Sequence, residues 1–372
     1  VMGLAPYGDP AVYRDVISAF YTLLPNGRVK INREVFGALN RLEGIPRKKE
    51  DDFTKVHKDL AAGIQDAVET MIFHIVNHYK AKYNHSKLCL AGGVAQNCTV
   101  NGKLLYSGKF DDIFVQPASY DAGTSFGAAL YTYYTESGDK DVKQSRLEHV
   151  YLGTYIGDND AIGAELELWK DLVDFEKVDN PAKKGAQLLA DGSVIGWSQG
   201  RSEFGPRALG NRSIVADPRP VENKDVINAM VKKREAFRPF APSVLDEYIE
   251  DYYVVPPHIK YRKFPFMTFV LDVVEDKQKI LGATTHVDGT ARIQSVSKET
   301  NPKYWELIDE FRKLTGIPVV LNTSFNNNVE PIVNTVQDSL VCYLTTKLNY
   351  LIVGDYVISK KEISPGRYMD LV

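Results

Sequence analysis

The sequence predicts an α/β protein of two domains, on three observations. Helix-period apolar stretches alternate with short apolar runs, glycine turns sit where those runs end, and 372 residues are more than one ordinary domain needs. The elements follow in chain order. Val56, Leu60, Ile64, Ala67, Val68, Met71, Ile72 and Ile75 recur at three- and four-residue steps, which predicts a long amphipathic helix over 56–76. Leu88 to Ala91 reads as a short buried strand, turned by Gly92-Gly93 into a helix carrying Leu104 and Leu105. Ile113 to Val115 is a second strand, and Asp121-Ala122-Gly123 opens a helix of small residues. In such a fold, ligands are expected at the C-terminal ends of the strands.

A polar stretch at 136–143 and a loop-like segment at 151–160 place the domain boundary, giving domains of 1–156 and 157–372. The second begins with a helix over Ala182–Ala190, stopped by Asp191-Gly192, and continues into a strand at Val194–Trp197. Later, a helix ends at Gly316 and Ile317 to Leu321 forms a strand leading into Asn322-Thr323-Ser324-Phe325-Asn326.

Composition narrows the function classes. Hydrophobic residues make up 44% of the chain and charged residues 25%, as in ordinary globular proteins. No run of about 18 apolar residues suggests a membrane span, and a net charge of −3 argues against a general nucleic-acid binder. Three cysteines without a Cys-x-x-Cys pair fit a reducing cytoplasm better than a structural zinc site. Against this acidic background the segment 201–238 holds nine Lys or Arg (Arg201, Arg207, Arg212, Arg219, Lys224, Lys232, Lys233, Arg234, Arg238) and five acids, a local excess of +4. Its Gly-Pro-Arg, Gly-Asn-Arg and Arg-Pro-Phe tripeptides fix backbone direction, so it reads as an anion pocket rather than a solvated charged face.

Other constellations are weaker. His286, Asp288, Thr290 and Arg292 alternate, and on a strand would share one face, either toward a ligand or toward solvent. Asn322 to Asn326 offers hydroxyl and amide groups for a phosphate or ribose, or is a plain Asn-rich turn. Gly92, Gly93 and Asn97 suit a nucleotide lying against backbone N–H groups. Asp121 is either a helix cap or a metal ligand. His74 and His78, four apart on the long helix, lack an acidic third ligand and read as helix residues rather than a metal pair.

Six segments taken together are more specific: VMGLAPYG at 1–8, LAGGVAQNCTVNGKL at 90–104, DAGTSFGAAL at 121–130, GWSQGRSEFGPRALGNRSIVADPR at 196–219, REAFRPFAPSVL at 234–245 and PVVLNTSFN at 318–326. In that order they resemble the O-carbamoyltransferases of antibiotic and nodulation-factor biosynthesis. The resemblance implies the C-terminal lobe of an actin-like ATPase (RNase H-like) domain, similar to the tRNA threonylcarbamoyladenosine enzyme, followed by a YrdC-like α/β domain. It implies that the second domain makes carbamoyl adenylate from ATP and carbamoyl phosphate, with Mg2+, and that the first passes the carbamoyl group to a hydroxyl of a small-molecule acceptor. On this footing Arg201, Arg207, Arg212, Lys233, Arg234, Arg238 and Arg292 are expected to hold the phosphates, with Ser324 and Asn326 nearby. Gly92, Gly93 and Asn97 are expected to hold the adenylate, and Asp121 to match the family's acidic ligand to Fe2+ or another divalent metal. Family members carry a lobe before the VMGLAPYG motif that supplies metal-binding histidines, so the chain is expected to be truncated at its N-terminus, with a metal site lacking those histidines. An apolar face left open in this way would favour a homodimer or aggregation. A tRNA threonylcarbamoyladenosine-type enzyme and a non-catalytic nucleotide-binding scaffold are the competing functions.

Overall fold

A computed structural model describes residues 1–41, 44–48, 51–136, 145–232, 235 and 237–361. In chain order the helices are α1 (Arg14–Ser18), α2 (Lys55–Tyr83), α3 (Cys98–Tyr106), α4 (Gly123–Glu136), α5 (Asn159–Leu168), α6 (Pro181–Ala190), α7 (Asn223–Ile227), α8 (Ile249–Tyr252), α9 (Glu275–Gln278), α10 (Pro302–Thr315) and α11 (Val336–Thr345). The strands are β1 (Tyr21–Leu24), β2 (Arg28–Ile31), β3 (Lys87–Leu90), β4 (Asp112–Val115), β5 (Val173–Lys177), β6 (Ile195–Ser198) and β7 (Arg212–Ala216). They continue with β8 (Ala241–Leu245), β9 (Val270–Asp272), β10 (Thr290–Arg292), β11 (Gln294–Val296), β12 (Val319–Ser324), β13 (Tyr350–Val353) and β14 (Tyr356–Lys360).

The second region is built on an eight-stranded mixed sheet in the order β11-β8-β12-β7-β6-β13-β14-β5. Its β11–β8 and β6–β13 pairs are parallel and the rest antiparallel. Because side chains alternate across a strand, each central strand feeds two cores. Ile195, Trp197, Val215, Val320 and Ile352 pack against α6 and α10. Ile214, Ala216, Leu321, Leu351 and Val353 face the opposite layer, where α5 and α11 lie. Local chemistry sets the covering helices. Asn180 and Asn301 accept from the backbone N–H of Lys183 and Tyr304, a proline follows each, and Gly316 closes α10 at φ 78°.

The first region pairs β3 with β4 in parallel and covers them with α2 and α3. Its core does not end at the region's edge. Val100, Leu104, Leu105, Ile113 and Val115 share one cluster with Tyr253, Phe269, Leu271 and Ile293. Polar contacts reinforce the seam. Asn101 Nδ2 donates to the Thr268 carbonyl at 2.9 Å, and Tyr106 Oη donates to the Val254 carbonyl at 2.6 Å while accepting from the Asp272 N–H at 2.9 Å. Gly102 is what allows the approach, since a Cβ there would lie 2.4 Å from the Val270 carbonyl oxygen. The seam therefore holds α3 close against β9, and a cleft opens beside it.

Candidate active site

That cleft has a volume of about 740 Å³ and is walled by the N-terminal turn, by α3, by the loop before β7 and by the antiparallel β9–β10 pair with the turn before β10. It brings together Arg207, Arg238, Arg292, Lys224, His286 and Ser324.

Arg207 projects from a rigid loop. Gly205 (φ 134°) and Gly210 (φ 102°) take backbone conformations that favour glycine, and at Gly210 a Cβ would also collide with the Tyr304 ring. Glu203 Oε1 accepts from the N–H groups of Leu209 at 2.6 Å and Asn211 at 2.8 Å. The Leu209 carbonyl accepts from Tyr151 Oη at 2.9 Å and Gln294 Nε2 at 2.7 Å. Burial pushes the Glu203 carboxyl up, opposed by these N–H donors. Its job is to hold the loop.

Arg292 enters from β10, whose partner β9 sets Arg292 opposite Val270. Arg207 and Arg292 each bury an unpartnered Nε, and among the described residues no carboxylate pairs with either. Repulsion from Arg292, followed by burial, draws Arg207 down to about 9, and burial lowers Arg292. Both remain cationic at neutral pH. Two guanidiniums so placed oppose folding unless an anion completes them.

His286 stands beside this pair. Burial, first, and the Arg292 charge pull it down to about 4 although Asp288 acts the other way, and its Nε2 is buried without a partner. The Thr285–Arg292 segment is not the continuous strand expected. His286 to Gly289 form a turn, with Gly289 at φ 77° and the His286 N–H bonded to the Thr290 carbonyl at 2.7 Å, and only Thr290–Arg292 is strand. The turn still delivers His286, Asp288, Thr290 and Arg292 to the cleft.

The other predicted residues are placed differently. Arg212 is fully buried on β7 and away from the cleft. Its guanidinium is spent on the carbonyls of Thr154, Gln199, Gly200, Asn211 and Asn334, and burial draws it down to about 10. Arg201 is exposed, donates to the Gly153 carbonyl at 3.0 Å and does not line the cleft. Arg238 lines it from an exposed position 3.7 Å from Glu235. Lys233 and Arg234 lie outside the described residues. Ser324 reaches the cleft and Asn326 sits behind it; both are organised by Lys232, which sequence reasoning left without a role. Lys232 Nζ, only 4% exposed as a residue, donates to the Ser324 carbonyl at 2.6 Å and to the carbonyl and Oδ1 of Asn326, both at 2.8 Å.

Gly92 and Gly93 are exposed and outside the cleft. Asn97 is occupied in capping α3, accepting from the Val100 N–H at 3.2 Å, and in pairing with Gln65 on α2 at 2.9 Å. Other residues of α3, Cys98, Thr99, Gly102, Lys103 and Tyr106, form the wall instead. Asp121 is exposed at the foot of α4, and its carbonyl accepts from the Thr124 N–H at 3.1 Å. Among the described residues no group of three His, Cys, Asp or Glu side chains converges there or elsewhere. His74 Nε2 bonds the Leu24 carbonyl at 2.9 Å, and the His78 side chain packs against Gly27. No helix among the described residues is long and apolar enough to cross a membrane.

The mixed sheet and the smaller region thus meet at a cleft that gathers two buried guanidiniums, neither paired with a carboxylate among the described residues. The chain belongs to the carbamoyltransferase family: the model of the carbamoyltransferase N-terminus matches residues 1–130 and that of the C-terminus residues 186–360. Nodulation protein NolNO of Sinorhizobium fredii (strain NBRC 101917 / NGR234) is 53% identical over 98% of this chain and 53% of its own length. Nodulation protein NolO of Bradyrhizobium diazoefficiens is 51% identical over 98% of this chain and 66% of its own. A 3'-hydroxymethylcephem-O-carbamoyltransferase of Amycolatopsis lactamdurans is 35% identical over 74% of this chain and 49% of its own. The chain thus spans between about half and two thirds of the length of these curated relatives. Among solved structures, T. kodakarensis HypF covers 51% of this chain and 22% of its own at 15% identity, with a TM-score of 0.32, too slight to define a shared fold.

Proposed function

We propose that this chain is the carbamoyl-activating part of an O-carbamoyltransferase, using ATP and carbamoyl phosphate and acting with Mg2+ brought in as part of the nucleotide substrate. The observation that carries this reading is the Arg207–Arg292 pair, two guanidiniums kept together in a cleft without a carboxylate between them. Guanidinium forks match phosphate oxygens, and phosphoryl chemistry is catalysed chiefly by positioning and charge neutralisation. The cleft has room for more than one small anion, which a two-substrate reaction requires.

In the proposed sequence, water cleaves carbamoyl phosphate to carbamate and inorganic phosphate. A carbamate oxygen then attacks the α-phosphorus of ATP, and pyrophosphate leaves, giving carbamoyl adenylate. Arg207 and Arg292 hold the phosphates, with Arg238 and Lys224 at the rim and Ser324 at the edge. The carbamoyl group next passes to a hydroxyl of a small-molecule acceptor and AMP departs. The larger sheet corresponds on this reading to a YrdC-like domain and the smaller region to part of an actin-like domain. The name of the cephem relative, an O-carbamoyltransferase, supports the transfer step. Incubating the chain with ATP, carbamoyl phosphate and Mg2+ should release pyrophosphate in step with carbamoyl phosphate consumed. Folded protein that releases none under these conditions would overturn the reading.

A further inference from the structure

Beside its cations and carboxylates the cleft wall carries buried acceptors without a partner, Asn322 Oδ1 and His286 Nε2, and His286 stands next to Arg292. Asp288 Oδ1 receives the Thr290 hydroxyl at 2.7 Å, and Thr290 Oγ1 lies 3.0 Å from His286 Nδ1. A hydroxyl has one proton. With that proton given to the carboxylate, the stronger charge-assisted acceptor, Thr290 Oγ1 is left to accept, so Nδ1 carries the hydrogen. The imidazole is neutral at working pH, because burial and the neighbouring Arg292 both disfavour the cation. Its Nε2 therefore holds a lone pair, is buried and has no partner, at a position on the wall of the cleft shared with Arg207 and Arg292.

A ligand that satisfies all of these groups carries phosphate charge at one end and an N–H or O–H donor beside it. Carbamoyl phosphate has that pattern, since its amide N–H2 lies a few bonds from the phosphate; acetyl phosphate has the same charge and shape but a methyl in place of the amide. We infer that His286 Nε2 accepts a hydrogen bond from the carbamoyl N–H2, making His286 the residue that selects a carbamoyl over an acyl phosphate, with Thr290 and Asp288 fixing its tautomer. This inference rests on the proposed use of carbamoyl phosphate and names the group that reads its amide.

The selection follows from the cost of the wrong ligand, which would bury Nε2 against a methyl and leave the acceptor unpaired. Binding of carbamoyl phosphate and of acetyl phosphate to the full chain, measured by calorimetry at low temperature, separates the two claims. The wild type should prefer carbamoyl phosphate by at least about tenfold. His286→Leu should bring the ratio to within about twofold of unity, mainly by weakening carbamoyl phosphate. Thr290→Val, which touches only the tautomer, should lower the ratio part of the way, and His286→Gln, which keeps an acceptor, should retain more of it than His286→Leu. Arg292→Met should weaken both ligands equally and leave the ratio standing. A His286→Leu protein that keeps the wild-type ratio overturns the role of His286 alone. A wild type that binds neither phosphate overturns the functional reading beneath it, and the inference with it.

Discussion

Arg212→Met should damage stability far more than anion binding. The guanidinium is completely buried and donates to carbonyls drawn from four separate stretches of chain. Three of those bonds are 3.0 Å or shorter: Nη1 to Gln199 at 2.7 Å, Nη1 to Asn211 at 2.8 Å and Nη2 to Asn334 at 3.0 Å. Methionine fills most of the volume but donates nothing. A hydrogen bond to a charged group contributes about 1.5–3 kcal/mol, and a buried carbonyl left unmet costs about 1–3 kcal/mol. Three strong bonds set an upper bound of roughly 5–9 kcal/mol on those figures. The cost of burying the charge itself offsets part of that, leaving a net loss of about 3–5 kcal/mol. Urea unfolding followed by circular dichroism should show the midpoint falling without a change of slope. At temperatures where the variant is still folded, its affinity for inorganic phosphate should stay within about twofold of wild type. A stable Arg212→Met protein, less than about 1 kcal/mol from wild type yet unable to bind phosphate, would refute the reasoning.

The remaining expectations concern the cleft and its seam. Arg292→Met should raise unfolding stability by about 1 kcal/mol, because it removes one of two repelling buried cations, while pyrophosphate release falls at least about 100-fold; a destabilised variant with normal release would contradict the reading. His286, held near 4 in the fold against 6.5 as a free side chain, binds fewer protons folded than unfolded between those values, so its contribution makes stability rise with pH from about 4 to 6.5. His286→Gln should flatten that part of the stability profile and leave the region above pH 7 unchanged, which denaturation at a series of pH values will show. Gly102→Ala drives a methyl toward the Val270 carbonyl and should part α3 from β9, lowering stability by about 1–3 kcal/mol and speeding amide exchange along α3; a neutral substitution would mean the seam is looser than its contacts imply.

Much of the framework was legible because local chemistry and packing agree. The long helix, the helix over 182–190 and the glycine end of α10 follow from periodicity and capping, whereas the asparagine–proline starts of α6 and α10 went unread. The β1–β2 hairpin went unread although Asn26-Gly27, both at positive φ, is a strong turn signal for its type. The site was legible only as a region. Arg207 and Arg212 stand five residues apart in one glycine-rich string, and nothing in that string says which faces a ligand. The difference is made by partners far along the chain. Arg212 starts a central strand, where the turn at Asn334 and the loop at Thr154 present carbonyls to it, whereas Arg207 stays outside the sheet between two glycines. Glu203 and Lys232 were counted only as charges, because their work on the 209–211 and 324–326 backbones depends on tertiary approach. The alternation at 286–292 predicts one strand face, whereas a turn at 286–289 followed by a short strand at Thr290–Arg292 brings these residues to the cleft.

The central claim is that two guanidiniums stand ready for phosphate in the cleft between α3 and the β9–β10 strand pair. A crystal structure of the protein soaked with carbamoyl phosphate and a non-hydrolysable ATP analogue tests it most directly. Phosphate oxygens should lie within about 3 Å of the guanidinium nitrogens of both Arg207 and Arg292. Phosphate density gathered instead at Arg201 or at the Gly92-Gly93 turn, with the cleft filled by solvent, would contradict it.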